Sequence, residues 1–385
     1  MEFDLGWILL GLPLAFVLGW LASRFDLRQL RLENRRAPKA YFRGLNYLLN
    51  EQQDQAIDAF IEAVQIDPDT SELHFALGNL FRRRGEYERA VRVHEHLLSR
   101  GDLSQTDRNR AQHALALDFL KAGLLDHAEK ALIKLEGTAF ETEARLALLA
   151  NYERSRDWAL AAVVASKLES AQQGNFNQRL AHYLCEQAAD DIAHDHLDNA
   201  RQRLLEAIVK APETARARMA LAKLQADAGE LPAAQQTLLD AMEQAPTAIP
   251  LIAGPLADIA LRVGDVTQAL TRLQGLYEQS VSLDVLDAIV RLSVSHPTAG
   301  MTDHDWYARH LEHEPSLVAA TRWIAGEKFE DEQFHPLVQR ALDHAIKPLL
   351  RYRCAACGFE ATQHFWQCPG CQTWDSYPAR RVEEL

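Results

Sequence analysis

An alanine recurs along this chain at a nearly fixed interval, and that interval limits the fold more than any other feature. Ala56, Ala90, Ala128, Ala161, Ala200, Ala234 and Ala269 are separated by 34, 38, 33, 39, 34 and 35 residues. Three residues earlier, every unit but the first carries a larger apolar side chain: Tyr87, Leu125, Trp158, Leu197, Leu231 and Val266, against Gln53 in the first. A period of this length belongs to a two-helix unit that cannot bury its apolar face alone and stacks on copies of itself. The composition agrees, with 48% apolar residues and alanine and leucine far commoner than β-branched residues.

Other positions repeat with the alanines. The first unit carries Gly44, Tyr47, Ala56, Phe60, Ala63 and Pro68; the second Leu77, Gly78, Phe81 and Ala90; the third Leu115, Ala116, Phe119, Ala128 and Leu132. Later units keep Ala207 with Pro212, and Ala241 with Pro246. Small residues permit close helix crossing, and proline ends a second helix. Gly85, Gly123 and Gly229 fall in the turns inside units, where a positive φ is often required. The pattern resembles the tetratricopeptide repeat over residues 37 to about 280, which implies an all-α superhelical solenoid of about seven units. Leu149 and Asp191 depart from it, and the two longest spacings place extra residues at 99–108 and 170–179.

Beyond 280 the period fades. Helical patterning continues around 283–295, 303–313, 315–325 and 334–346, as expected of degenerate repeats or a cap over 281–347, with breaks at His296-Pro297 and Pro348. In the tetratricopeptide family the first helix of each unit lines a concave, protein-binding face. The resemblance places Phe75, Asn79, Arg82, Arg83, His113 and Lys121 on such a face; the same cations also fit an ordinary solvated helix surface.

The N-terminus reads as an anchor. Residues 5–23 contain 19 consecutive positions without a charge. At 1.5 Å rise per residue they make about 28 Å of helix, close to a bilayer's hydrocarbon thickness. Trp7 and Trp20 flank the span, Glu2 and Asp4 precede it, and Arg24, Arg28, Arg31, Arg35, Arg36 and Lys39 follow. The acidic leader argues against a cleaved signal peptide, and the positive-inside rule puts the N-terminus outside and the rest of the chain in the cytoplasm. Residues 24–36 form a basic juxtamembrane helix. Gly11, Ala15, Gly19 and Ser23 repeat every fourth residue, a spacing that suits a second transmembrane helix and also arises by chance where small residues abound.

Residues 348–385 carry the sharpest motif. Cys354 and Cys357 form one C-x-x-C pair, and Cys368 and Cys371 form another ten residues on. Two such pairs can place four thiolates around one ion, either Zn²⁺ or a single iron. Gly358 follows the first pair, whereas Gln372 stands where the second pair would have its glycine. A redox dithiol needs only one pair, and four cysteines in so short a window do not make a disulfide-laced secreted fold. So small a domain buries little apolar surface, so the ion should supply much of its folding energy. Tyr352, Phe359, Phe365, Trp366, Trp374 and Tyr377 are expected around the site, with His364 as a spare ligand. Cys185, far away in a helical segment, reads as a small buried apolar residue.

No phosphate-binding glycine loop, nucleophile elbow or helical zinc-protease motif occurs, and no catalytic constellation emerges, so the chain reads as a non-enzyme. A net charge of −13 argues against nucleic acid as a partner. The order of anchor, basic helix, repeats and four-cysteine domain resembles the lipopolysaccharide assembly protein B family of Gram-negative bacteria. That resemblance implies a rubredoxin-like metal domain, with iron favoured and zinc open, on the cytoplasmic side of the inner membrane. It further implies an adaptor that promotes proteolysis of the deacetylase committing lipid A synthesis. The implied partners are the membrane AAA protease FtsH, the deacetylase as client, an inner-membrane regulatory protein and a second copy of the chain. The rival expectation is an iron–tetrathiolate electron carrier docked to a membrane complex; a general scaffold for envelope assembly is a third.

Overall fold

The computed structural model describes residues 16–18, 20, 39–295, 301–327 and 335–385. The chain divides into two compact units, residues 1–173 and 174–385. Most of the expected anchor, the basic helix 24–36, the packing residues Gly11, Ala15, Gly19 and Ser23, and the His296-Pro297 break lie outside the described residues.

In the first unit, helix α1 (39–49) precedes α2 (Gln53–Ile66), α3 (Ser71–Arg84), α4 (Tyr87–Ser99), α5 (Gln105–Ala122), α6 (Leu125–Ile133), α7 (Glu141–Ser155) and α8 (Trp158–Ser170). Sequence neighbours pack in succession, as antiparallel hairpins joined by short turns do. The alanine period has a direct structural meaning. All seven alanines have 0% exposure, each buried where a second helix presses on a neighbour. Gly78 shows how tight these crossings are: a Cβ there would lie 2.5 Å from the ring of His94 on α4.

The turns inside the hairpins share one conformation. Gly85, Gly123, Gly229 and Gly264 have φ of 85°, 77°, 81° and 85°. Where no glycine is available, Glu51, Arg156 and Asp195 take the same left-handed state at 59°, 60° and 61°. The repeat geometry therefore overrides local preference at three turns, at a cost of roughly 1 kcal/mol each.

The second unit continues the arrangement with α9 (Asn177–Ala193), α10 (Leu197–Lys210), α11 (Ala215–Asp227), α12 (Leu231–Gln244), α13 (Ile249–Val263), α14 (Thr267–Gln279), α15 (Leu283–Ser295), α16 (Asp303–His313), α17 (Leu317–Ala325) and α18 (His335–Ile346). The repeats expected over 37–280 thus fall into two units, and the division lies inside the longer insertion at 170–179. Leu149 is fully buried, and Asp191 pairs with Arg203 at 2.6 Å, so both departures from the pattern are absorbed. Among the described residues, the one helical stretch long and apolar enough to cross a membrane is Pro246–Val263. It is a core helix: Ile252, Ala253, Leu256, Ala257 and Ala260 are fully buried against α12 and α15. A small ribbon ends the unit, with β1 (Tyr352–Arg353) antiparallel to β2 (Glu360–Ala361) and Tyr352 opposite Ala361.

Candidate metal centre

The two cysteine pairs form matching turns. Cys354 N–H donates to Phe359 O and Gly358 N–H to Cys354 O, each at 2.9 Å. Fourteen residues on, Cys368 N–H donates to Thr373 O at 3.0 Å and Gln372 N–H to Cys368 O at 2.8 Å. Gln372 stands where Gly358 stands, and it adopts φ 61° against glycine's 77°. The missing glycine costs the second turn conformational strain without changing its shape.

The turns bring four sulfurs together. Every Sγ lies within 4.8 Å of the others, with Cys354 to Cys371 at 3.8 Å and Cys357 to Cys368 at 3.7 Å. A tetrahedron with metal–sulfur bonds of about 2.3 Å has an edge of about 3.8 Å, so the residues fit one tetrahedral ion. The electrostatics agree. Burial opposes ionisation of Cys354, but the Ser376 hydroxyl and the N–H groups of Cys357 and Ala356 outweigh it and draw the thiol down to about 6. The Phe359 N–H favours a Cys357 thiolate, yet desolvation and the neighbouring sulfurs push it up to about 12. Four thiolates at this separation therefore call for a cation. His364 is not a ligand: its Nε2 lies 3.1 Å from Tyr377 O. Tyr352 and Tyr377 are buried beside the cysteines with Phe365 against them, but Phe359, expected to pack there, is exposed.

The ribbon is seated on the first helices of the second unit's hairpins. His182 on α9 is completely buried, and its ring stacks on Trp374 at 4.7 Å and 16°. Arg216 on α11 donates to His182 Nδ1 at 3.3 Å, which leaves the proton on Nε2 to donate to Asp375 Oδ2 at 2.8 Å. Tyr183 meets Trp374 edge-on at 6.0 Å, and Leu251 on α13 packs against the ribbon's core. These contacts span up to 193 residues of sequence, and no local pattern around His182 or Asp375 announces them.

Comparison with known proteins follows the same division. The rubredoxin metal binding domain signature matches residues 352–377, and the tetratricopeptide repeat signature matches 43–93 and 185–249. Lipopolysaccharide assembly protein B of Escherichia coli K12 is 28% identical, with 97% of this chain and 98% of that protein aligned. The protein of the same name from Haemophilus influenzae is 26% identical over 95% of this chain and 96% of its own length. This chain belongs to the lipopolysaccharide assembly protein B family. A solved tetratricopeptide repeat protein from Parabacteroides merdae aligns over 67% of the chain and 99% of its own, at 14% identity and a TM-score of 0.34.

The groove residues that the repeat resemblance nominated behave differently from one another in this family member. Phe75 is 1% exposed, covered by the Arg110 guanidinium 4.1 Å above its ring, so it is core and not a binding surface. Arg82 is committed internally, to Asp118 at 2.9 Å, Asn79 Oδ1 at 2.6 Å and Ala114 O at 3.1 Å. Asp118, fully buried, also meets His94 Nδ1 at 2.5 Å, which explains why a carboxylate is tolerated there. His113 stacks on Phe140 at 5.3 Å, and desolvation holds its pKa below the ordinary value. Arg83 and Lys121 are exposed. Cys185 is buried, and burial pushes its thiol up to about 11. Among the described residues the four cysteines are the one cluster suited to a metal ion.

Proposed function

We propose that this chain is a non-enzymatic, membrane-tethered adaptor that adjusts lipopolysaccharide synthesis. In this reading it delivers the deacetylase committing lipid A synthesis to the membrane protease FtsH. Family membership and the relatives' name support the link to lipopolysaccharide assembly. The observation that carries an adaptor role is the seating of the metal ribbon on the first helices α9, α11 and α13, through His182, Arg216 and Leu251. Helices and ribbon then offer a client one preorganised surface, whose binding costs less ordering entropy than two loosely linked parts would. Cys354, Cys357, Cys368 and Cys371 would hold the ion, and the ion's chemical contribution is to neutralise and lock four thiolates.

Tethering supplies the remainder of the mechanism. A client held near a membrane protease meets it at an effective concentration set by the tether. The test is the half-life of the deacetylase after synthesis is stopped, in cells depleted of this chain. Depletion should lengthen it several-fold, wild-type chain should restore it, and Cys354→Ser with Cys357→Ser should not. An unchanged half-life on depletion would overturn the proposal and favour a scaffold or electron carrier.

A further inference from the structure

Residues 380–385 cross the second unit as an extended strap whose grip is almost wholly polar. Arg381 makes a two-pronged contact with Asp284 on α15, at 2.9 and 3.0 Å, donates to Leu350 O at 2.7 Å and lies 4.3 Å over Tyr352. Glu384 Oε1 accepts the Leu283 N–H at the start of α15, at 2.8 Å. Glu383 accepts from Leu317 N–H at 2.6 Å, Val318 N–H at 3.2 Å and Ser316 Oγ at 2.9 Å, filling the start of α17. The backbone of Val382 and Glu383 donates to Arg351 O and Leu349 O at 2.8 and 3.2 Å. Adjacent glutamates thus serve two different helix ends, whose free N–H groups and dipoles favour a carboxylate.

None of these six residues belongs to the unit's apolar core clusters. Segments fixed for good are normally tied by apolar burial, whereas directional polar contacts along an extended backbone are how exchangeable peptides are held. Beside the strap lies a cavity of about 540 Å³ lined by Leu276, Ser280, Ser282, Val285, Ala379 and Arg380. Ser282 is 2% exposed, and its Oγ has no partner. A buried hydroxyl left unpaired at the rim of a peptide-filled groove marks a surface built to take more than the present strap supplies.

We infer that residues 380–385 are a peptide ligand held in cis, and that the surface beneath them is a docking site for extended segments carrying arginine followed by paired glutamates. Such a segment in a partner protein would compete with the strap and free the root of the metal ribbon at 349–352.

The test uses the full chain and a labelled peptide of sequence 378–385, followed by fluorescence anisotropy. The triple variant Arg381→Ala, Glu383→Gln and Glu384→Gln loosens the strap, and it should bind the peptide saturably and at least tenfold more tightly than wild type. A peptide with both glutamates changed to glutamine should bind neither. A triple variant that keeps its helical signal and metal but gains no affinity overturns the inference. If that variant does not fold, hydrogen exchange on wild type decides. Leu283, Leu317 and Val318 amides should exchange together, at least tenfold faster than the amides one turn into their helices. Exchange only with global unfolding of the unit would refute a detachable strap.

Discussion

Replacing His182 with alanine should uncouple the metal ribbon from the helices that carry it. His182 is fully buried and meets the ribbon twice, through a stacked Trp374 ring at 4.7 Å and a hydrogen bond to the Asp375 carboxylate at 2.8 Å. A stacked aromatic pair contributes about 0.5–1.5 kcal/mol beyond its buried area. A hydrogen bond to a charged group contributes about 1.5–3 kcal/mol. Together they predict that His182→Ala lowers the unfolding free energy of the second unit by about 2–4 kcal/mol. The assay is urea unfolding read by tryptophan emission and helical circular dichroism, performed as a double-mutant cycle with Trp374→Ala. The coupling energy should be about 1 kcal/mol, and metal content should stay at one ion per chain because His182 is not a ligand. A coupling energy below about 0.3 kcal/mol would refute the assignment of the stack as a docking contact.

Four further outcomes follow from the geometry. Gln372→Gly relieves a left-handed non-glycine turn, and it should slow metal loss to a chelator and stabilise the ribbon by about 1 kcal/mol. Gly78→Ala places a methyl 2.5 Å from His94, which Asp118 holds in place, and should cost about 2–4 kcal/mol in denaturant titration of the first unit; tolerance of the change would show that His94 can move. Burial holds the pKa values of His74 and His310 below 6.5, so the folded state resists their protonation. Their stability contribution is complete above pH 6.5 and is lost as pH falls through the lowered values, which thermal melts from pH 7.5 to 5 should show as declining midpoints. Removing the ion should melt the ribbon while the helical dichroism persists, because the buried residues of the ribbon's own core cluster are only Tyr352, Cys354, Cys368 and Tyr377; intact ribbon signals in the chelated chain would contradict this.

Much of the architecture is legible in the sequence because the repeat is a local device. Each alanine register position, each hairpin glycine and each cysteine pair specifies its own turn or crossing within about 40 residues. Local patterns also mislead where environment decides. Phe75 occupies a first-helix position expected to face partners, yet Arg110 covers it. Pro246–Val263 has the length and apolar composition of a membrane span and is a core helix, since hydropathy records what must leave water and not what covers it.

By itself the sequence determined that this chain is a stack of helical hairpins ending in a four-sulfur site, since periodicity and cysteine spacing encode those features over short distances. Only the tertiary structure decided that the ribbon rests on His182, that Arg82 and His94 share a buried Asp118, and that Glu383 and Glu384 cap two separate helices. The physical reason is range. A hydrogen bond or ring stack between residues up to 193 positions apart depends on where the intervening hairpins carry each side chain, and no composition or period records that placement.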